Sequence, residues 1–279
     1  MRLRAGRFDL SLDRPLVMGI VNLTPDSFSD QGRHWAPRAA IDHAQKLIQE
    51  GADLIDLGAE SSRPGAQPVS AAEEIDRLMP VLEALVPTGC PLSVDTTKPA
   101  VMRAVIDAGA AMINDIQALR EPGALDLIAT SGAAVCLMHM QGEPRTMQRA
   151  PHYDDVVREV GAFLRERADA CLAAGVERTR IVVDPGYGFG KTVDHNLTLL
   201  AHQSVLADLG FALLAGLSRK STIGAVTGRA VGDRLPGSLA AALIAVQQGA
   251  RILRVHDVAA TRDVLAIWAA TSEHSPNRH

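Results

Sequence analysis

The stretch LSVDTTKPAVMRAVIDAGAAMINDIQALREPGALDLIATSGAAVCLMH, residues 92–139, decides the fold class. Three short apolar runs, Leu92–Asp95, Met112–Asp115 and Ala134–His139, alternate with two stretches of helical period, Pro99–Ala108 and Gly123–Ala129. Short apolar runs bounded by turn formers predict strands buried on both faces, and the amphipathic stretches between them predict the crossover helices of βαβ units. Working outward, the same rhythm predicts strands over Leu16–Val21, Leu54–Leu57, Ile181–Asp184, Ala212–Leu217 and Ile252–His256. Helices are predicted over Pro37–Glu50, Ala71–Leu85, Asp154–Ala173, Asn196–Ala207, Leu239–Gln248 and Val258–Ala269. Gly51, Gly109, Gly132, Gly175 and Gly249 follow helices and predict left-handed caps on the lower face. Strand and helix thus alternate without a Ser-rich linker, charge block or low-complexity segment, which predicts an α/β chain, a single domain over 1–279 folded as a (β/α)8 TIM barrel. An open doubly wound sheet is the alternative, because periodicity does not separate closed from open sheets.

Composition agrees with that class. Hydrophobic residues make up 47% and aromatics 3%, so Ala, Val, Leu and Ile must fill the interior, as suits parallel strands under helices. With 28 Lys and Arg against 32 Asp and Glu, a net charge of -4 and no basic run at either end, nucleic acid is not an expected partner. Cys90, Cys136 and Cys171 lack CxxC spacing and read as small buried hydrophobes, not a disulfide framework or zinc site. The opening MRLRAGRFDL has no apolar signal core and no apolar stretch approaches the ~18 residues of a span, so no membrane contact and a cytoplasmic location are expected. The polar tail Ser272–His279 is expected to be disordered.

Polar residues concentrate where the predicted strands end: Asn22, Glu60, Asp95, Asn114, His139, Asp184, Ser218 with Lys220, and Arg254 with His256. In a (β/α)8 barrel those ends converge on one mouth. Any one of these residues alone would be ordinary, a lone Asp after a strand reading more simply as a helix N-cap, but a polar group on every strand end is not. Carboxylates and amides (Asp95, Asn114, Asp184) suit the donor and acceptor edges of a flat heterocycle, and cations (Arg63, Lys220, Arg254, His256) suit phosphate oxygens. The Gly-, Ser- and Pro-rich segments TPDSFSDQG, ESSRPGA and DPGYGFGK also follow strands, where mobile loops over a barrel are common.

These segments resemble one family. MGIVNLTPDSFSDQG (18–32) and DLIDLGAESSRPGA (53–66) closely resemble the two signatures of dihydropteroate synthases. The resemblance continues through PLSVDTTKP (91–99), AMINDI (111–116), LMHMQGEPRTMQ (137–148), IVVDPGYGFGK (181–191), LLAGLSRKS (213–221) and RILRVHDV (251–258). It implies the (β/α)8 fold and a transferase that condenses 6-hydroxymethyl-7,8-dihydropterin diphosphate with 4-aminobenzoate, forming 7,8-dihydropteroate and diphosphate in folate biosynthesis. Homodimers are usual in the family, and the Ala-rich late helices could supply the contact.

The resemblance also implies roles. Asp95, Asp184, Lys220 and Arg254 are the expected catalytic residues. The pterin would meet Asp95, Asn114, Met138, Asp184, Lys220 and Arg254, and the diphosphate Asn22, Arg63, Arg254 and His256. 4-Aminobenzoate would meet Phe28, Ser62, Arg63, Pro64, Phe189, Ser218 and Lys220, with Thr24 nearby and the N–H groups of the helix after Ser218 facing its carboxylate. Mg2+ is the implied cofactor, with Asn22 its ligand and several waters and phosphate oxygens completing the shell. Met138 as core, Phe189 as loop anchor and Ser218 as a simple N-cap are the structural alternatives. Departures from the family pattern are Gln31, Ser62 and Tyr187, all in loops. Two rival functions remain: a methyltetrahydrofolate-corrinoid methyltransferase-like pterin barrel, against which SSRPGA, LSRKS and RVHDV together speak, and a non-catalytic pterin-binding homologue.

Overall fold

The computed structural model describes residues 1–23, 37–61, 68–143 and 146–274. Eight parallel strands close a barrel: β3 (Leu16–Asn22), β4 (Leu54–Gly58), β5 (Leu92–Asp95), β6 (Met112–Asp115), β7 (Ala134–Met138), β8 (Ile181–Asp184), β9 (Ala212–Ala215) and β10 (Ile252–Val255), with β10 pairing back onto β3. Around it run α1 (Pro37–Gln49), α2 (Ala71–Leu85), α3 (Pro99–Asp107), α4 (Ala124–Thr130), α5 (Val156–Ala173), α6 (Val193–Ala201), α7 (Ser204–Ala207), α8 (Ser221–Thr227), α9 (Leu235–Gln247) and α10 (Val258–Glu273). Closure excludes the open doubly wound alternative.

Alternation along each strand divides the core in two. Outward residues such as Val17, Ile55, Leu57, Val94, Val135 and Leu213 pack under the apolar faces of the helices, including Leu47, Leu78, Leu82 and Leu164. Inward residues Met18, Leu54, Met112, Cys136, Val182, Leu214 and Ile252 fill the lower barrel. Each fully buried Leu, Ile or Val contributes about 1.5–3 kcal/mol. Caps set the helix starts: Ser70 accepts from Glu73 N for α2, Asp155 from Arg158 N for α5, and Thr192 with His195 forms a reciprocal capping box for α6. The three thiols are free and buried.

Several elements differ from the sequence expectations. The first residues form an antiparallel hairpin, β1 (Arg2–Ala5) and β2 (Phe8–Ser11), whose Leu3 and Ala5 join Leu12 in the lower barrel core. The expected helix Asn196–Ala207 is two helices, α6 and α7, because Gln203 between them turns its amide inward, donating to Ala245 O at 2.8 Å and accepting from Tyr187 Oη at 2.8 Å. Helix α8 is the helix that the resemblance places after Ser218, in a stretch where periodicity predicts none, and α9 begins four residues before Leu239. Helix α10 continues through Ser272, so that residue belongs to the helix and not to a tail; residues 275–279 lie outside the described residues. Gly51, Gly109, Gly175 and Gly249 do take positive φ, but Gly132 does not, since α4 ends on an extended Ser131 instead.

Candidate active site

The upper inner wall of the barrel is charged. Asp56 sits between outward Ile55 and Leu57 on β4, so the pleat turns its carboxylate inward, where it is fully buried. Its Oδ2 accepts from Arg254 Nε at 2.6 Å and from Asn114 Nδ2 at 3.1 Å. Arg254 Nη2 donates to Asp95 Oδ2 at 3.2 Å, so one planar guanidinium bridges two carboxylates. Among the described residues, Asp56 Oδ1 and Ser93 Oγ have no hydrogen-bond partner. Burial pushes the Asp95 carboxyl up to about 7; Arg254 opposes that rise, and Asp56 and Asp115 add to it. Burial alone would lower the Arg254 guanidinium, but Asp56 and Asp95 outweigh it and hold the cation above its ordinary value.

Across the mouth, Asp184 ends β8 with 5% exposure, and its Oδ1 accepts from Gly186 N at 2.7 Å. Burial raises this carboxyl against the pull of the Gly186 N–H and Lys220. Gly186 has φ +67°, and a Cβ there would stand 1.9 Å from His139 O, so the chain needs glycine to turn beneath the carboxylate. Lys220 Nζ donates to Tyr187 O and lies 4.5 Å from the centroid of Phe189. Burial draws Lys220 down to about 8, with Asp184 holding it up. Met138 on β7 is 3% exposed in a cluster with Ile116, Met140 and Met147, against which Phe189 packs. Met138 is thus packed in a small apolar cluster, with Phe189 against it.

On the remaining arc, Ser218 Oγ lies 2.9 Å from His256 Nδ1 and accepts from His256 N at 3.2 Å. Two groups expected at different ligands therefore touch each other. Ser218 is not an N-cap: Lys220 occupies that position for α8, without a side-chain cap. Asn22, Gly58, Asp95 and Asn114 follow one another across β3, β4, β5 and β6 in register. A Cβ on Gly58 would lie 3.9 Å from Asn22 Oδ1 and 4.0 Å from Asp95 Oδ2, so two hard oxygen donors flank this position.

The other expected residues divide. Glu60 turns from the mouth to Lys98 Nζ, which also donates to buried Glu74 at 2.6 Å, while Glu60 Oε1 accepts from Val69 N at 3.1 Å. His139 is 6% exposed and held neutral, its imidazolium drawn down to about 3 by burial and Lys191. Tyr187 is buried at 1% exposure, with its hydroxyl on Gln203. Thr24, Phe28, Gln31, Ser62, Arg63 and Pro64 lie outside the described residues.

Two groups were missed. Asp56 carries a signal that was there to read, a carboxylate inside an apolar strand. Lys191 ends the DPGYGFGK segment, and its buried ammonium reaches His139 Nδ1 at 3.0 Å and the carbonyls of Gly186 and Phe189 at 3.0 Å each; nothing in its spacing distinguishes it from a surface lysine.

The family model for pterin binding enzymes matches residues 18–256. The dihydropteroate synthase of Haemophilus influenzae is 50% identical over 273 residues, 98% of this chain and 99% of that protein. The Xanthomonas albilineans dihydropteroate synthase, solved with 4-aminobenzoic acid, superposes with a TM-score of 0.92 at 55% identity, covering 97% of this chain and 98% of that one. The Burkholderia cenocepacia enzyme complexed with 7,8-dihydropteroate does so at 0.90 and 50% identity, covering 98% and 97%. With likeness running the length of the fold and through the mouth of the barrel, the chain belongs to the dihydropteroate synthase family of pterin-binding enzymes.

Proposed function

We propose that the chain is a transferase that joins 6-hydroxymethyl-7,8-dihydropterin diphosphate to 4-aminobenzoate, releasing diphosphate and forming 7,8-dihydropteroate. The observation that carries this is the sorting of charge within one mouth: Asp56, Asn114 and Asp184 buried and Asp95 half-buried on the inner wall, with Arg254 and Lys220 set against them. Solved relatives hold 4-aminobenzoic acid and 7,8-dihydropteroate.

Asp184, Asp95 and Asn114 would receive the pterin's N–H edge, Lys220 its carbonyl side and Met138 its face. Arg254, Asn22 and His256 would receive the diphosphate, and Phe189, Lys220 and Ser218 the aminobenzoate. Cleavage of the methylene C–O bond sends its electron pair out with diphosphate and leaves an electron-poor carbon conjugated to the dihydropterin. The arylamine nitrogen then forms the new C–N bond and releases its proton to solvent. Asp56, Asp95 and Asp184 stabilise the positive charge spread over the ring, while Arg254 and His256 stabilise the leaving group. No nucleophilic side chain enters the reaction.

The oxygen donors flanking Gly58 fit Mg2+, which prefers hard oxygens and keeps waters; Asn22 would hold it, with Asp95 beside it. An ion held there would supply positive charge to offset that of the diphosphate. Among the described residues no group of three or more His, Cys, Asp or Glu could hold a metal, so the site would depend on substrate oxygens.

A homodimer through α9 and α10 belongs to the same proposal, supported by Ile244 and Ile267, 42% and 69% exposed on adjacent helices; a monomer in sedimentation at micromolar concentration contradicts it. Three free thiols support a cytoplasmic location, which fractionation of expressing cells tests, and among the described residues no helix is long and apolar enough to cross a membrane. The reaction is tested by measuring diphosphate release with and without 4-aminobenzoate. Release should require the arylamine and match dihydropteroate formed one to one; equal release without it, or none with both substrates, contradicts the assignment.

A further inference from the structure

Arg219 stands between Ser218 and Lys220 with φ +57°, the left-handed region that a side chain disfavours. That turn sends its neighbours to opposite sides of the mouth. Ser218 reaches across to His256 beyond β10, at 2.9 Å, and Lys220 reaches back to Tyr187 O beyond β8. The Arg219 side chain itself leaves the mouth and forks onto Asp257, with Nε 3.0 Å from Oδ2 and Nη2 2.5 Å from Oδ1.

The backbone of Arg219 is held as well. Its N–H donates to Ser238 Oγ at 2.9 Å, and its carbonyl accepts from Arg234 Nη1 at 3.1 Å. Asp257 is fixed in turn, because it follows His256 and caps α10, where its carbonyl accepts from Thr261 N at 3.1 Å and Thr261 Oγ1 at 2.7 Å. The ion pair therefore joins the loop after β9 to the loop after β10, the two loops that carry Ser218, Lys220 and His256. A strained residue persists where its surroundings over-determine it, and here a two-point Arg–carboxylate fork supplies that constraint.

We infer that Arg219 and Asp257 act as one positioning unit for the condensation: the pair locks the left-handed turn that aims Ser218 at His256 and Lys220 at the Asp184 side of the mouth. Neither residue touches the reacting atoms. The inference rests on the proposed reaction, and the pair is partly exposed, with 39% and 21% of the two side chains open to solvent, so its removal should leave the barrel folded.

A kinetic double-mutant cycle with Arg219→Ala, Asp257→Ala and the double variant tests it, with KM for 4-aminobenzoate, kcat and thermal midpoint all measured. Each single change is expected to lower kcat/KM for 4-aminobenzoate roughly tenfold, and the double to be within about threefold of the worse single, as for residues acting as a unit. Arg219→Gly, which takes the turn without strain, should recover at least about threefold over Arg219→Ala. Single effects that multiply in the double, a glycine no better than alanine, or a lowered thermal midpoint with unchanged kinetics overturns the unit. If Arg219→Ala does not fold, Arg219→Gly and Asp257→Asn complete the same cycle under the same criteria. A wild-type chain with no arylamine-dependent diphosphate release overturns the reaction and the pair's part in it together; an active wild type with a failed cycle overturns the pair alone.

Discussion

Replacing Arg254 by lysine keeps the charge and removes the fork. In the native chain Nε and Nη2 meet different carboxylates, Asp56 at 2.6 Å and Asp95 at 3.2 Å. A lysine ammonium at the end of a flexible stem is a point donor and cannot reproduce both directions. One charge-assisted hydrogen bond is lost, at about 1.5–3 kcal/mol, and 21% exposure of the arginine side chain favours the lower end. At about 1.4 kcal/mol per decade, kcat/KM for the pterin diphosphate should fall roughly 10- to 100-fold. Whichever carboxylate is abandoned, fully buried Asp56 or half-buried Asp95, then lies beside the other with less compensation, so thermal stability should fall as well. Steady-state kinetics and a thermal melt of Arg254→Lys and Arg254→Met check both effects. Methionine should be worse than lysine in both, and a lysine variant within about twofold of wild type in kcat/KM refutes the bridging role.

Other consequences follow from individual contacts. Gly186→Ala forces a Cβ to within 1.9 Å of His139 O at φ +67° and must displace the loop under Asp184; kcat/KM should drop on the order of 100-fold. Gly123→Ala, at φ +85° with nothing within 4 Å of the new atom, should cost about 1–2 kcal/mol of stability by chemical denaturation and leave activity near wild type. In kcat/KM for the pterin diphosphate, protonation of Asp95 as pH falls through about 7 should remove an acceptor and set the acid limb, while loss of the Lys220 proton as pH rises through about 8 should set the alkaline limb. A pH profile that Asp95→Asn leaves with the same acid limb counts against that assignment. Calorimetric titration with Mg2+ should show weak binding to the chain alone and at least about tenfold tighter binding once diphosphate is present, because protein oxygens near Asn22 are few; equal affinities contradict the shared site.

Strands β5, β6 and β8 and helix α2 were legible to the residue, because each is an unbroken apolar or periodic run ended by a residue with a clear local preference, such as Asp95, Asp184 or the capping Ser70. Helix α8 was legible through the family resemblance but not through periodicity: Gly224, two threonines and an uncapped start hide a helix that packs against α6 and α9. The hairpin was hidden for another reason. Its alternation of exposed Arg2 and Arg4 with buried Leu3 and Ala5 is a strand pattern, but four residues are too few to separate it from a polar terminus.

Within the site, the strand-end residues Asn22, Asp95, Asn114, Asp184, Lys220 and Arg254 converge as their positions required. Which of them pair did not follow from position. The Arg254 fork depends on Asp56 one turn of the pleat below the rim, and Glu60 is taken up by Lys98, a partner 38 residues away on another loop. Side-chain direction on a closed barrel fixes both, and that direction emerges once register and closure are known.

A crystal structure of the chain with pterin diphosphate and Mg2+ bound tests the convergence most directly. The expected result is a pterin ring edge-on to Asp184 and Asn114, stacked near Arg254 and Met138, with its diphosphate on Asn22 and His256. A ring bound outside the barrel mouth, or one in the mouth with its diphosphate turned away from Asn22 and His256, contradicts the account.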